Sequence, residues 1–139
     1  MNFTIAARES PSRHRASVGR TLRVLLIEPR PMSSPMLRRW LDRRGHMLDV
    51  ANDVASGFRQ AVAGQPDVVL IDLGLMEKGG LALADRLRSD PTTCTVPLVA
   101  MEEATVPARD EGTTMFARHV LKPIDVDELG GVLLEVAAR

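Results

Sequence analysis

The sequence predicts one three-layer α/β sandwich, in which a parallel five-stranded sheet is covered by helices on both faces. The chain has 139 residues, about the size of one ordinary domain. Hydrophobic residues make up 45% of it and charged residues 26%, which is the balance of a globular chain with a real core. Short aliphatic runs alternate with segments of helical periodicity, and this alternation is typical of parallel strands joined by helical crossovers.

The first half of the chain contains three predicted strands and two predicted helices. Two of the strands are predicted by largely aliphatic runs at residues 22–27 and 67–72, and Leu48 and Val50 suggest a short strand between them. Between the first two, Ser34-Pro35 predicts a helix start, with a capping residue followed by proline, and Gly45 predicts its end. Apolar residues at helical spacing between Val54 and Gly64 predict the second helix.

The second half continues the alternation. A third helix is predicted around residues 81–87, ended by Asp90-Pro91, and further strands at residues 96–101 and 119–121. Asp125 and Glu128 stand three apart, like a capping box that opens a last helix. The stretch 104–117 gives no legible pattern because Pro107 and Gly112 interrupt it. Strand–helix repetition of this kind indicates a flavodoxin-like (βα)5 fold over residues 21–139, preceded by a mobile basic tail at residues 1–20.

Composition excludes several classes of function. Lys plus Arg and Asp plus Glu each total 18, tyrosine is absent and aromatic residues reach 3%, so we expect no nucleic-acid partner. No apolar run approaches the roughly 20 residues of a membrane span, and the N-terminus lacks a signal peptide, so we expect no membrane contact and a cytoplasmic location. The one cysteine, Cys94, offers neither a disulfide nor the spacing of a metal site.

Ionisable residues stand at four of the predicted strand ends. Glu28 follows strand one, Asp72 ends strand three, Glu102 follows strand four and Lys122 follows strand five. The carboxyl ends of parallel strands meet at one edge of a sheet, where functional groups of such folds cluster. Carboxylates crowded there need a cation, which could be a metal ion or Lys122.

From about Arg23 to Ala138 the chain resembles the receiver domain of two-component response regulators. The motifs that carry the resemblance are Val68-Val69-Leu70-Ile71-Asp72 with Gly80 eight residues on, Arg88-Ser89-Asp90-Pro91 followed by Val96-Pro97, and Lys122-Pro123 before the Asp125 cap. The resemblance implies that Asp72 accepts a phosphoryl group from a phosphohistidine on a histidine kinase or phosphotransfer protein. It also implies that Lys122 contacts this group and that Glu28, Asp72 and the backbone carbonyl of Gly74 hold Mg²⁺.

Three departures from the family pattern put that chemistry in doubt. Pro29 stands where the family has a second acidic metal ligand, so we expect Mg²⁺ binding to be weak or absent. Glu102 stands at the Ser/Thr position whose hydroxyl meets the phosphoryl group. His119 stands at the position of the aromatic switch residue in strand five.

The role of Glu102 leaves three alternatives. A resting ion pair between Glu102 and Lys122 is favoured, because a carboxylate would otherwise repel a phosphoryl group. Glu102 could instead replace the metal ligand lost at Pro29. In the third alternative it points to water and leaves Glu103 or Thr105 near the site.

These residues predict a non-enzymatic, single-domain receiver in a phosphorelay pathway, with output that does not depend on phosphorylation. Its downstream partner is expected to bind strand five and the flanking helices. The sequence does not decide whether the protein forms a homodimer. One alternative is a fully phosphorylatable receiver switch. The other is a small flavodoxin-like enzyme or cofactor binder, which the sequence disfavours because Glu-Pro-Arg-Pro, and not a Gly-rich phosphate loop, follows strand one.

Overall fold

The computed structural model describes residues 20–30, 33–103 and 115–138, without the side chains of residues 74–78. The strands are β1 Arg23–Ile27, β2 Met47–Ala51, β3 Val68–Asp72, β4 Leu98–Glu103 and β5 Arg118–Lys122. The described helices are α1 Ser34–Asp42, α2 Val54–Gly64, α3 Leu73–Ser89 and α4 Val126–Ala137. All strand pairs are parallel, in the order β2-β1-β3-β4-β5.

This architecture confirms the predicted flavodoxin-like sandwich with one five-stranded parallel sheet. The tail predicted for residues 1–20 lies outside the described residues except for Arg20, and so does most of the illegible stretch at 104–117. Among the described residues, no helix is long and apolar enough to cross a membrane.

The pleat of the strands divides the apolar residues into two cores, one on each face of the sheet. On the face covered by α1 and α4, buried strand residues include Leu26, Leu70 and Met101. On the face covered by α2 and α3 they include Ile27, Ile71 and Ala100. Because side chains alternate along a strand, neighbours in sequence enter opposite cores. The same alternation decides which charged side chains can meet at the sheet edge.

Two element boundaries differ from the sequence prediction. Helix α3 begins at Leu73, directly after β3, and not near Leu81. The glycine pair Gly79-Gly80 obscured this start, but Leu73 is 1% exposed and packs in the core with the later apolar residues of α3. Strand β4 runs to Glu103, so Glu102 and Glu103 are strand residues and do not follow the strand.

The helix ends follow local capping chemistry. The Asp53 side chain accepts a hydrogen bond from the Ser56 N–H at 2.7 Å at the start of α2. Asp125 accepts from the Asp127 and Glu128 N–H groups at 2.9 and 3.2 Å, which confirms the predicted start of the last helix. At α1 the cap differs from the prediction, because Ser33 occupies it and makes no side-chain cap bond.

Helices α1 and α4 meet around Trp40, which is partly buried against the core. Its indole Nε1 donates to Asp127 Oδ1 at 2.7 Å, and the Arg44 guanidinium lies 3.7 Å from the centre of the ring. The ring occupies the space above Gly130, where an added Cβ would lie 2.4 Å from Trp40 Cζ3. A glycine in the middle of α4 therefore lets the two helices approach closely.

Candidate functional site

Asp72 and Lys122 meet at the carboxyl edge of the sheet. Asp72 ends β3 and its side chain is 1% exposed, whereas Lys122 ends β5 and its side chain is 17% exposed. The Lys122 ammonium donates to both carboxylate oxygens of Asp72, at 3.0 and 3.1 Å. The bond from Lys122 to Pro123 is cis. The buried carboxylate is thus neutralised by a cation that belongs to the chain itself.

Glu28 lies beside Asp72 at the end of the neighbouring strand. Ile27 is the register partner of Ile71, so the residues that follow each of them are adjacent. The Glu28 side chain is buried, and its Oε1 accepts a hydrogen bond from the Ser33 N–H at 3.2 Å. A second carboxylate therefore stands at this edge, as the sequence predicted.

The two other positions expected to bind metal differ in what they offer. Pro29 is exposed and has no side-chain oxygen. Gly74 lies in the first turn of α3, where a backbone carbonyl ordinarily accepts the hydrogen bond of the residue four positions on. The metal-binding role that the resemblance gave to Gly74 stays a prediction.

The prediction that Glu102 forms an ion pair with Lys122 is wrong. Glu102 follows Ala100 on the face covered by α3, whereas Lys122 points to the opposite face, together with Asp72 and Met101. Because the two side chains leave opposite faces of the sheet, Glu102 contacts His119 and Lys122 contacts Asp72 and Glu103. A replacement metal ligand would have to meet the Asp72 carboxylate, whereas Glu102 contacts His119 on the other face of the sheet.

Glu102 instead contacts His119, the residue at the aromatic switch position. Glu102 Oε2 and His119 Nδ1 form a close pair, and the two side chains are 14% and 31% exposed. The His119 ring also packs edge-on against Phe116, with ring centres 5.5 Å apart. Two of the three positions at which this chain departs from the family pattern therefore contact each other.

Glu103 is the β4 residue that reaches the Asp72 pocket. It is the register partner of Lys122, and its Oε2 lies 3.4 Å from the Lys122 ammonium. Sequence reasoning placed Glu103 near the site only in its third alternative and gave it no role. The signal was available, because alternation along Val99, Met101 and Glu103 puts Glu103 on the Asp72 face.

Comparison with known proteins identifies the family. A family model described as the response regulator receiver domain matches residues 24–133. The chain belongs to this family. The transcriptional activator protein IrlR of Burkholderia pseudomallei is 30% identical over 109 residues, which cover 78% of this chain and 47% of that protein. The transcriptional regulator RpaA of Synechocystis is also 30% identical over 109 residues, covering 77% and 45%. The receiver thus spans about half the length of these curated relatives.

Solved structures support the same fold. A response regulator from Chloroflexus aurantiacus has a TM-score of 0.76 at 22% identity, covering 86% of this chain and 100% of that one. The receiver domain of a sensor histidine kinase from Pseudomonas aeruginosa, solved with a magnesium ion coordinated in its active-site cleft, has a TM-score of 0.73 at 20% identity. It covers 86% of this chain and 99% of that one. Receiver domains of response regulators are signalling modules.

The structure shows which side chains stand where a metal ion could bind at this edge of the sheet. Mg²⁺ requires a near-octahedral set of oxygen ligands. Here Pro29 supplies none, and the Lys122 ammonium lies on both oxygens of Asp72. Among the residues that the structure describes, no three carboxylate, imidazole or thiolate side chains converge on one point. A divalent cation at Asp72 has to compete with Lys122.

Proposed function

We propose that this receiver signals through protein–protein contacts and that its output does not depend on phosphorylation of Asp72. The observation that carries the proposal is the contact between Glu102 and His119. In the family pattern these positions hold a hydroxyl that meets the phosphoryl group and an aromatic residue that moves with it. A phosphoryl group shifts a conformational equilibrium only through contacts that differ between the two states. Because Glu102 and His119 bind each other, a phosphoryl group on Asp72 would gain few contacts that differ between the two states.

The pocket itself supports the proposal by a second route. We infer weak Mg²⁺ binding, because Pro29 offers no ligand and Lys122 already neutralises Asp72. Slow phosphoryl transfer follows, since the developing charge on the phosphoryl oxygens would lack a metal ion. The surface we assign to the downstream partner is β5, where Leu121 is 57% exposed, with its flanking helices. Of these the structure describes α4, and residues 104–114 lie outside the described residues. We place this signalling in the cytoplasm.

An ordinary phosphorylatable switch is the second candidate, and one observation favours it. Asp72 and Lys122 remain within hydrogen-bond distance of each other. These two side chains are the ones that the family pattern needs for accepting the group and contacting it. In this candidate a histidine kinase or phosphotransfer protein would phosphorylate Asp72 and thereby change the output.

The two candidates differ in the phenotype of Asp72 variants. Chromosomal Asp72→Ala and Asp72→Asn in the source bacterium should signal like the wild type, whereas deletion of the whole receiver should not. Amide spectra of both purified variants check that the fold is intact. If both folded variants behave like the deletion, and the wild type accepts phosphoryl groups from its kinase, the output depends on phosphorylation and the proposal is wrong.

A second test restores the family residues at the switch positions. In the double variant Glu102→Thr with His119→Tyr, beryllofluoride, a phosphoryl mimic, should shift amide resonances through β4 and β5. In the wild type, shifts should stay near Asp72. Equally extensive shifts in the wild type would show that the Glu102–His119 pair does not block the response.

A further inference from the structure

The Lys122 ammonium contacts three carboxylate oxygens, two from Asp72 and one from Glu103. An ammonium group carries three N–H donors. Two of them are directed to the oxygens of Asp72, at 3.0 and 3.1 Å, and Glu103 Oε2 lies 3.4 Å from the same nitrogen. A phosphoryl oxygen that arrives at Asp72 would therefore have to compete with these carboxylates for the Lys122 ammonium.

The contact with Glu103 is the one that can be given up. It is the longest of the three, and the Glu103 side chain is 47% exposed, whereas that of Asp72 is 1% exposed. Glu103 can therefore turn into water at little cost in solvation, while Asp72 cannot leave its pocket. Because Glu103 is the register partner of Lys122, its carboxylate stays within reach of the ammonium.

We propose that Glu103 is an internal competitor for the Lys122 ammonium, and that it limits the binding of phosphoryl-like anions at Asp72. The competitor is built into β4, so its effective concentration at Lys122 is high and constant. This inference deepens the proposed function, because it gives one physical reason why phosphorylation has little effect. It is Glu103, and not Glu102, that opposes the anion.

The test is a beryllofluoride titration of the full chain, followed by amide NMR in one buffer of fixed MgCl₂ concentration. Glu103→Gln should bind beryllofluoride about tenfold more tightly than the wild type, which corresponds to about 1.4 kcal/mol. The matched control is Glu135→Gln. This variant makes the same change of charge. It also removes a contact to a cation on β5, because Glu135 lies 3.1 Å from Arg118 at the other end of that strand. Its affinity should equal that of the wild type.

A second variant separates competition for Lys122 from simple charge repulsion. Glu103→Asp keeps the negative charge but is one methylene shorter, so its carboxylate no longer reaches the ammonium. If Glu103 acts through Lys122, Glu103→Asp gains affinity as Glu103→Gln does. A gain in Glu103→Gln alone would indicate repulsion through space and overturn the proposal, and so would an unchanged affinity in both. The outcome is a ratio of affinities, so it does not depend on whether signalling requires Asp72.

Discussion

Glu102 and His119 bind each other on the face of the sheet opposite to the Asp72–Lys122 pair. Glu103, the next residue along β4, binds Lys122 on the other face. Two consecutive carboxylates thus connect the end of β4 to β5 on both faces of the sheet. In the family pattern the same end of β4 carries a hydroxyl that has to move toward the phosphoryl group. Here that movement would break both contacts.

The Glu102–His119 contact should contribute measurably to stability. In a double-mutant cycle of Glu102→Gln and His119→Gln, urea unfolding at pH 7 should give a coupling free energy of about 1 kcal/mol, the usual net value of one hydrogen bond. As a control, Glu103→Gln combined with His119→Gln should be additive, because these side chains lie on opposite faces. Additivity in the Glu102 cycle would mean that the contact adds nothing to the stability of the fold.

Mg²⁺ should bind with millimolar affinity or more weakly. Pro29 provides no ligand, and the ion has to displace Lys122 from both oxygens of Asp72. Calorimetric titration measures the affinity directly. Lys122→Met should bind the ion more tightly than the wild type, because Asp72 then loses its internal counter-ion. A submillimolar dissociation constant in the wild type, or weaker binding in Lys122→Met, would contradict this explanation.

The fold could be predicted from the sequence because each element carries its own local signal. Short apolar stretches predicted the five strands, among them the alternating Leu48 and Val50, and Asp125 predicted the start of the last helix. The start of α3 at Leu73 was missed because Gly79-Gly80 breaks the local pattern, whereas burial of Leu73 is decided by the tertiary core. Local propensity is overridden in this way wherever an apolar face becomes available.

The site could be predicted only as far as the resemblance and the strand ends allow. From these two signals, Asp72 and Lys122 were correctly predicted to lie at the same edge of the sheet. The partner of Glu102 was predicted wrongly because the strand was expected to end before it, at Met101, so the alternation was not carried on to Glu102 and Glu103. Extending the pattern of β4 by two residues assigns both carboxylates to their faces.

His46 forms a second buried polar contact, at the amino end of the sheet. Its Nδ1 accepts a hydrogen bond from the Leu22 N–H at 3.1 Å, so the ring is held neutral on that side. Burial lowers the pKa of His46 below its usual value of 6.5, partly opposed by the nearby Asp67 and supported by Arg44. A protonated His46 would carry an N–H at Nδ1, and this donor would face the N–H donor of Leu22.

The free energy of unfolding should therefore fall as the pH drops below about 6.5, the pKa of an unperturbed histidine. Above that pH the ring is neutral in both states and the full contribution is present. Below that pH the histidine takes up a proton in the unfolded chain more readily than in the folded chain. Each unit of difference between the two pKa values lowers the free energy of unfolding by up to about 1.4 kcal/mol. Urea unfolding from pH 7.5 to 5.5 measures the slope. The slope should disappear in His46→Gln and persist in His119→Gln, and the reverse pattern would assign it to the other histidine.

Gly130 should tolerate no side chain, whereas Gly131, the next residue, should tolerate one. A Cβ at Gly130 would lie 2.4 to 2.6 Å from three atoms of the Trp40 ring, while a Cβ at Gly131 would meet nothing within 4 Å. Gly130→Ala should therefore destabilise the fold by about 1–3 kcal/mol, the usual range for overpacking. Gly131→Ala should stabilise it by about 0.5–1 kcal/mol, because alanine favours a helix over glycine. Urea unfolding compares the two, and Trp40 fluorescence should shift only in Gly130→Ala, since that ring has to leave its place and give up its hydrogen bond to Asp127. Equal stabilities and equal spectra of the two variants would show that α1 and α4 do not depend on this close approach.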